Sequence, residues 1–161
     1  MVIWIIGKSG SGKTFFAKKI FEILNKKKKC FLIDGDDVRK YLNYDLTYSI
    51  SDRKINSRRI QDLCLYFEEK KYLVICSIQS IFKKHQLENK KKFNKYKQIY
   101  LNVDEKIFKK RKFKLHKYRK NVVGKDIVFP RPIKSHLEIL NDFKDYKSKL
   151  KKIIKFINKY I

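Results

Sequence analysis

Gly7, Lys8, Ser9, Gly10, Ser11, Gly12, Lys13 and Thr14 follow the spacing G-x-x-x-x-G-K-[ST], whose chemistry is the gripping of a phosphate tail. Glycines let the backbone turn tightly, so that successive N–H groups converge on phosphate oxygens, and the start of a helix adds its positive end. Lys13 would reach the β- and γ-phosphates and the Thr14 hydroxyl would hold Mg²⁺. Gly7, Ser9, Gly10, Ser11, Gly12, Lys13 and Thr14 are therefore the expected ATP contacts. A second group is Asp34-Gly35-Asp36-Asp37-Val38-Arg39. Paired carboxylates beside a bound triphosphate suit a base for an attacking hydroxyl and an indirect, water-mediated hold on Mg²⁺, and Arg39 is one helical turn away, able to grip an anion with two parallel hydrogen bonds. The plain structural reading is an Asp-Gly turn with Asp36 as a helix cap. A third group is Arg53 and Asn56, three residues apart and so on one helix face, near a helix start that attracts anions.

These residues need elements to hold them. Val2 to Ile6 is a run of five apolar, mostly β-branched residues, a short buried strand leading straight into the glycine loop, and Phe15 to Leu24 is an amphipathic helix leading away from it. Cys30 to Ile33 is a second strand, and the acidic group sits at its C-terminal end, where open α/β sheets bind ligands. Ser51 reads as the cap of a helix to about Lys70, with Ile60, Leu63, Cys64 and Phe67 inward. Tyr72 to Cys76 and Lys97 to Val103 are further strands, separated by a loop over Ser77 to Phe82 and a polar helix over Lys83 to Lys92. Asp104 to Lys120 is a very basic helical stretch and Asn121 to Pro132 a loop, so that residues from about 105 to 132 suit a lid donating cations over the triphosphate; a solvated face is the alternative. Ser135 to Leu140 is a fifth strand and Phe143 to Ile161 a terminal helix. Alternating strands and helices predict an α/β fold of the P-loop NTPase type, a mostly parallel five-stranded sheet between helix layers, as a single domain over residues 1–161.

Composition narrows the partners. No apolar run is long enough to span a membrane, and the apolar run after Met1 ends in the glycine loop rather than in a cleavage site, so a soluble, cytoplasmic protein is expected. Cys30, Cys64 and Cys76 lack C-x-x-C spacing and fall in apolar segments, as buried reduced thiols do. Forty-two Lys+Arg against 16 Asp+Glu leave a net charge of +26. The lysines run from end to end beside Ile, Asn, Tyr and Phe, and no RNA-recognition signature accompanies them, so nucleic acid is not the expected partner. The excess does steer small polyanions inward.

The series Gly7 to Thr14, Asp34-Gly35-Asp36-x-x-Arg39, Ser49-x-x-Asp52-Arg53-x-x-Asn56-x-x-Arg59 and Asn121-x-x-Gly124-x-Asp126 resembles the adenylyl-sulfate kinase family in order and spacing over residues 2 to 142. The resemblance implies a P-loop kinase fold, ATP, Mg²⁺ and phosphoryl transfer to the ribose 3′-hydroxyl of a nucleotide whose 5′-phosphate carries sulfate. By the same analogy Lys13, Asp34 and Asp36 are catalytic, Asp36 as the base. Asp34 assists the metal beside Thr14, and residues 112–120 form the lid. Arg39, Arg53 and Asn56 hold the phosphate–sulfate group. Homodimer formation is left open.

Departures bear on the substrate. Family members usually place phenylalanines where this chain has Tyr48 and Val122, and those two rings clasp adenine. The family's Phe-Ile-Ser-Pro is here Ile78-Gln79-Ser80-Ile81, which keeps Ser80 on the substrate side. Losing one stacking face forfeits roughly 1–3 kcal/mol. The pattern is similar to a divergent branch that phosphorylates cytidine diphosphoramidate in capsule biosynthesis, and a smaller pyrimidine tolerates Val122. Adenylyl sulfate and cytidine diphosphoramidate are thus rival acceptors, with a lean to the second. A polynucleotide 5′-kinase or RNA-binding P-loop ATPase, and a non-catalytic nucleotide-binding regulator, are the alternatives from other classes. Compact-anion residues Arg39, Arg53 and Asn56 argue against the first, and the intact Lys13, Thr14, Asp34 and Asp36 against the second.

Overall fold

The computed structural model describes residues 1–108, 121, 123 and 126–161. Strand β1 (Val2–Ile6) lies at the centre of a sheet with β2 (Cys30–Asp34), β3 (Leu73–Ile78), β4 (Tyr96–Asn102) and β5 (Leu137–Leu140), in the order β2-β3-β1-β4-β5 and with every pairing parallel. A central parallel strand is covered on both faces, which is why its sequence is continuously apolar rather than alternating. All five β1 side chains are buried, each stabilising the fold by about 1.5–3 kcal/mol.

The pleat sends these side chains to two cores. Ile3 and Ile5 meet Phe16, Ala17 and Ile20 of α1 (Lys13–Leu24) together with Leu150, Ile153 and Ile157 of the terminal helix α5 (Tyr146–Ile157). Val2, Trp4 and Ile6 face the other way, toward Val38 of α2 (Gly35–Tyr41) and Ile60 and Cys64 of α3 (Ile50–Glu69), with Phe93 closing the end of α4 (Lys83–Lys92). The result is the expected three-layer P-loop kinase fold. All three cysteines are buried and free, and burial pushes the Cys76 thiol well up. Among the described residues no helix is long and apolar enough to cross a membrane.

Four boundaries depart from expectation. Strand β3 continues to Ile78 instead of stopping at Cys76, because its ladder pairs Ser77 and Ile78 with Ile5 and Ile6. Helix α3 is capped by Ser49, not Ser51: the extended Ser49 backbone lets its hydroxyl accept from the Asp52 N–H at 3.1 Å, and the Asp52 carboxylate accepts in turn from the Thr47 N–H at 2.8 Å. Asp34, not Asp36, caps α2, accepting from the Asp36 N–H at 2.9 Å. The terminal helix is shorter than Phe143 to Ile161, because Phe143 and Asp145 adopt left-handed backbone angles that a continuing helix cannot hold, and Asp145 then caps the helix through the Ser148 N–H. The predicted lid at 105–132, with Val122 and residues 112–120, falls largely outside the described residues.

Candidate nucleotide and acceptor site

The glycine loop leaves β1 and turns into α1 through Gly10 and Gly12, whose φ angles of 79° and 94° are ones that side chains oppose. Crowding adds to the demand at Gly12: a Cβ there would stand 2.9 Å from Asn141 Nδ2. A Cβ at Gly7 would meet the Leu101 carbonyl oxygen at 2.7 Å. Asn141, buried just past β5, donates from Nδ2 to the Ser11 carbonyl at 2.8 Å and so ties the loop to the far side of the sheet. The Ser11 side chain is buried with its hydroxyl unpartnered, and its N–H donates to the Lys8 carbonyl at 3.1 Å. That bond shapes the turn beneath the expected phosphate seat.

Lys13 Nζ donates to the Lys8 carbonyl at 2.8 Å. Burial lowers its pKa to about 8, against the opposing pull of Asp36 and Asp34. The Thr14 hydroxyl donates to Asp34 Oδ2 at 2.7 Å, and the Ser77 hydroxyl donates to the same oxygen at 2.9 Å. Sheet register brings Ser77 there, directly opposite Asp34. Hard oxygen donors of this kind fit Mg²⁺, which takes one or two protein oxygens and completes its shell with phosphates and water. Among the described residues no group of three or more His, Cys, Asp or Glu side chains is placed to hold a metal ion.

A cleft of about 1000 Å³ joins this loop to the acceptor-side residues. Ser9, Gly10, Gly12, Lys13, Thr14, Asp34 and Asp36 line it together with Arg39, Tyr48, Arg53, Asn56 and Ser80. The Arg39 guanidinium is buried, donates to the Thr47 carbonyl at 2.6 Å and lies 4.8 Å from the Tyr48 ring centre. Arg53 flanks the same ring at 5.3 Å. Burial, and then the neighbouring Arg39 charge, lower the Arg53 pKa, so these two cations are held together at a cost that an anion between them would relieve. Asn56 is buried and accepts from Asn43 Nδ2 at 2.7 Å. Asn43 is in turn fixed by Arg59, which donates to Asn43 Oδ1 at 3.1 Å and pairs bidentately with Asp45 at 2.8 and 2.9 Å. Ser80 holds a left-handed backbone (φ 53°) and is braced on two sides, its hydroxyl accepting from Trp4 Nε1 at 3.2 Å and its carbonyl from Gln86 Nε2 at 2.7 Å. Val122 lies outside the described residues.

Sequence reasoning missed Ser77, Asn43, Gln79 and Asn141. Each acts through a partner distant in the chain, which no local periodicity reveals. For Ser77 and Asn141 a signal did exist: both are polar residues at the C-terminal ends of apolar strands, where ligands sit.

Sheet order, glycine loop and acidic strand end together define a P-loop kinase fold. The sequence profile of the adenylylsulphate kinase family matches residues 1–139, and the chain belongs to that family. The adenylyl-sulfate kinase of Bacillus velezensis is 33% identical over 113 residues, 68% of this chain and 57% of that protein. The chloroplastic adenylyl-sulfate kinase 1 of Arabidopsis thaliana is 39% identical over 83 residues, 51% of this chain and 30% of its own length. This chain thus spans about a third to somewhat over half of those relatives. Among solved structures, the Mycobacterium tuberculosis APS kinase CysC in complex with AMPPNP and APS superposes with a TM-score of 0.87 at 22% identity, over 98% of this chain and 96% of that one. Shikimate kinase from Aquifex aeolicus shares the fold more distantly, with a TM-score of 0.64 at 16% identity over 98% and 96% of the two chains.

Proposed function

We propose that the protein transfers the γ-phosphate of ATP to the ribose 3′-hydroxyl of a nucleotide carrying a small acidic group on its 5′-phosphate. One observation carries this reading: Asp36, Arg39, Arg53 and Asn56 open into the same cleft as Lys13 and Thr14. Loop N–H groups and Lys13 seat the β- and γ-phosphates, fixing the end group. Asp36 accepts the proton of the attacking hydroxyl. Thr14 and Asp34 would hold Mg²⁺, which neutralises charge on the phosphates when bound. Arg39, Arg53 and Asn56 position the acceptor's anionic end so that the hydroxyl faces the γ-phosphate. One buried and one half-buried guanidinium around one tyrosine suit a compact anion, not an extended polynucleotide.

Adenylyl sulfate and cytidine diphosphoramidate are the two acceptors this site suits. Tyr48 and Val122 in place of a phenylalanine pair favour the cytidine compound, because a pyrimidine asks less of a stacking clasp. Incubation with ATP, Mg²⁺ and a panel of 5′-modified nucleotides, followed by phosphorus NMR, tests the proposal. A new 3′-phosphate on one of the two compounds is expected, and phosphate appearing only in hydrolysed form would overturn it.

A further inference from the structure

Gln79 follows the last residue of β3 and lines the cleft beside Arg53. Arg53 Nη1 donates to its Oε1 at 2.9 Å. A guanidinium has only donors, so this contact fixes which way the amide points: oxygen to Arg53, nitrogen away. Among the described residues no group accepts from Gln79 Nε2. The same Arg53 donates from Nε to the Tyr48 carbonyl at 3.1 Å and from Nη2 to the Asn121 carbonyl at 2.8 Å. One guanidinium therefore ties together Tyr48, Gln79 and the segment just before Val122, the positions where the clasp on a base is expected. The main chain beside Gln79 is braced as well, because Ser80 is held from both Trp4 and Gln86. An amide on so fixed a mount has the pre-organisation that selective recognition needs.

We propose that Gln79 determines base specificity, donating from Nε2 to the ring-acceptor edge of a cytosine (O2 and N3) while Arg53 holds its oxygen. The inference rests on the reading that the cleft takes a nucleotide acceptor. Uracil keeps the O2 acceptor but presents an N3–H where cytosine offers a lone pair, so the contact to N3 becomes donor against donor and that base is disfavoured. A fixed donor left facing another donor is a usual source of such discrimination.

Calorimetric titration of 5′-CMP, 5′-UMP and 5′-AMP into the protein loaded with Mg²⁺ and a non-hydrolysable ATP analogue reads this directly. The wild-type protein should bind 5′-CMP about tenfold more tightly than 5′-UMP. Gln79→Leu should bring the two within about twofold, leaving ATP-analogue affinity unchanged. Gln79→Glu keeps a partner for Arg53 but offers no donor, and should lose 5′-CMP preference just as Gln79→Leu does. Retained preference in Gln79→Glu would show that Gln79 only positions Arg53 and would overturn the proposal, as would a wild-type protein indifferent to the base. The phosphorus NMR panel separates the two readings. Base-selective binding that Gln79→Leu abolishes supports the role of Gln79 even where no 3′-phosphate forms, whereas transfer with unaltered base ratios retains the kinase and rejects Gln79.

Discussion

The Thr14 hydroxyl and the Asp34 carboxylate meet at 2.7 Å, although they belong to successive strand–helix units. Their meeting joins the phosphate loop to the acidic strand end, and it depends on the sheet placing β3 between β1 and β2. Asp34 is held from three directions, by Thr14, by Ser77 and by the Asp36 N–H, and the proposed role of base falls to Asp36.

Asp36→Asn should therefore retain ATP binding and lower kcat by about 10²–10⁴. Calorimetry and steady-state kinetics together check this: weakened ATP affinity with an intact chemical step would remove Asp36 from the role of base.

Lys13 titrates in reach of ordinary buffers. Burial has lowered its pKa to about 8, so the free protein loses this charge as pH rises through that value. Bound phosphates favour the protonated form, and ATP binding above pH 8 must then take up a proton. ATP affinity should fall by about tenfold per pH unit there. Calorimetry at pH 8.5 in two buffers of different ionisation enthalpy should reveal the uptake. Lys13→Ala should lose both the pH dependence and ATP turnover.

Among the described residues Arg59 reaches the proposed acceptor side through Asn43, which orients Asn56. Arg59→Ala should raise the acceptor KM about threefold to tenfold while the KM for ATP holds. An equal rise in both constants would point to a general loosening of α3.

Asn141→Leu removes the donor to the Ser11 carbonyl from a buried position and should cost about 1–3 kcal/mol in denaturant unfolding. ATP affinity should fall with it. Affinity unchanged in a destabilised variant would confine Asn141 to a purely structural part.

Much of this was legible in the chain, for reasons that differ by residue. Val2 to Ile6 and the glycine loop announce themselves, since a buried parallel strand and a tight turn each impose a composition on consecutive residues. Asp34 closes β2, and Asp36 and Arg39 follow within the next few residues of α2, so their shared neighbourhood is defined by the chain itself. Ser77 looks like loop in the sequence because a small polar residue follows the apolar run Tyr72 to Cys76, and the ladders with β1 and β2 show the strand continuing. Gln79 gave no signal of its own: its part is set by Arg53, 26 residues earlier. Ser49 and Ser51 are both good caps by type, and the choice between them is made by backbone angle, which residue identity does not encode.

The tie from Asn141 to the Ser11 carbonyl also orders events during synthesis. On a ribosome-bound nascent chain the phosphate loop is made first, and the clamp that steadies it is contributed 130 positions later. Nucleotide capture should thus switch on late in translation, once β5 has threaded into the sheet, and a chain halted short of that strand would display the motif without a firm grip.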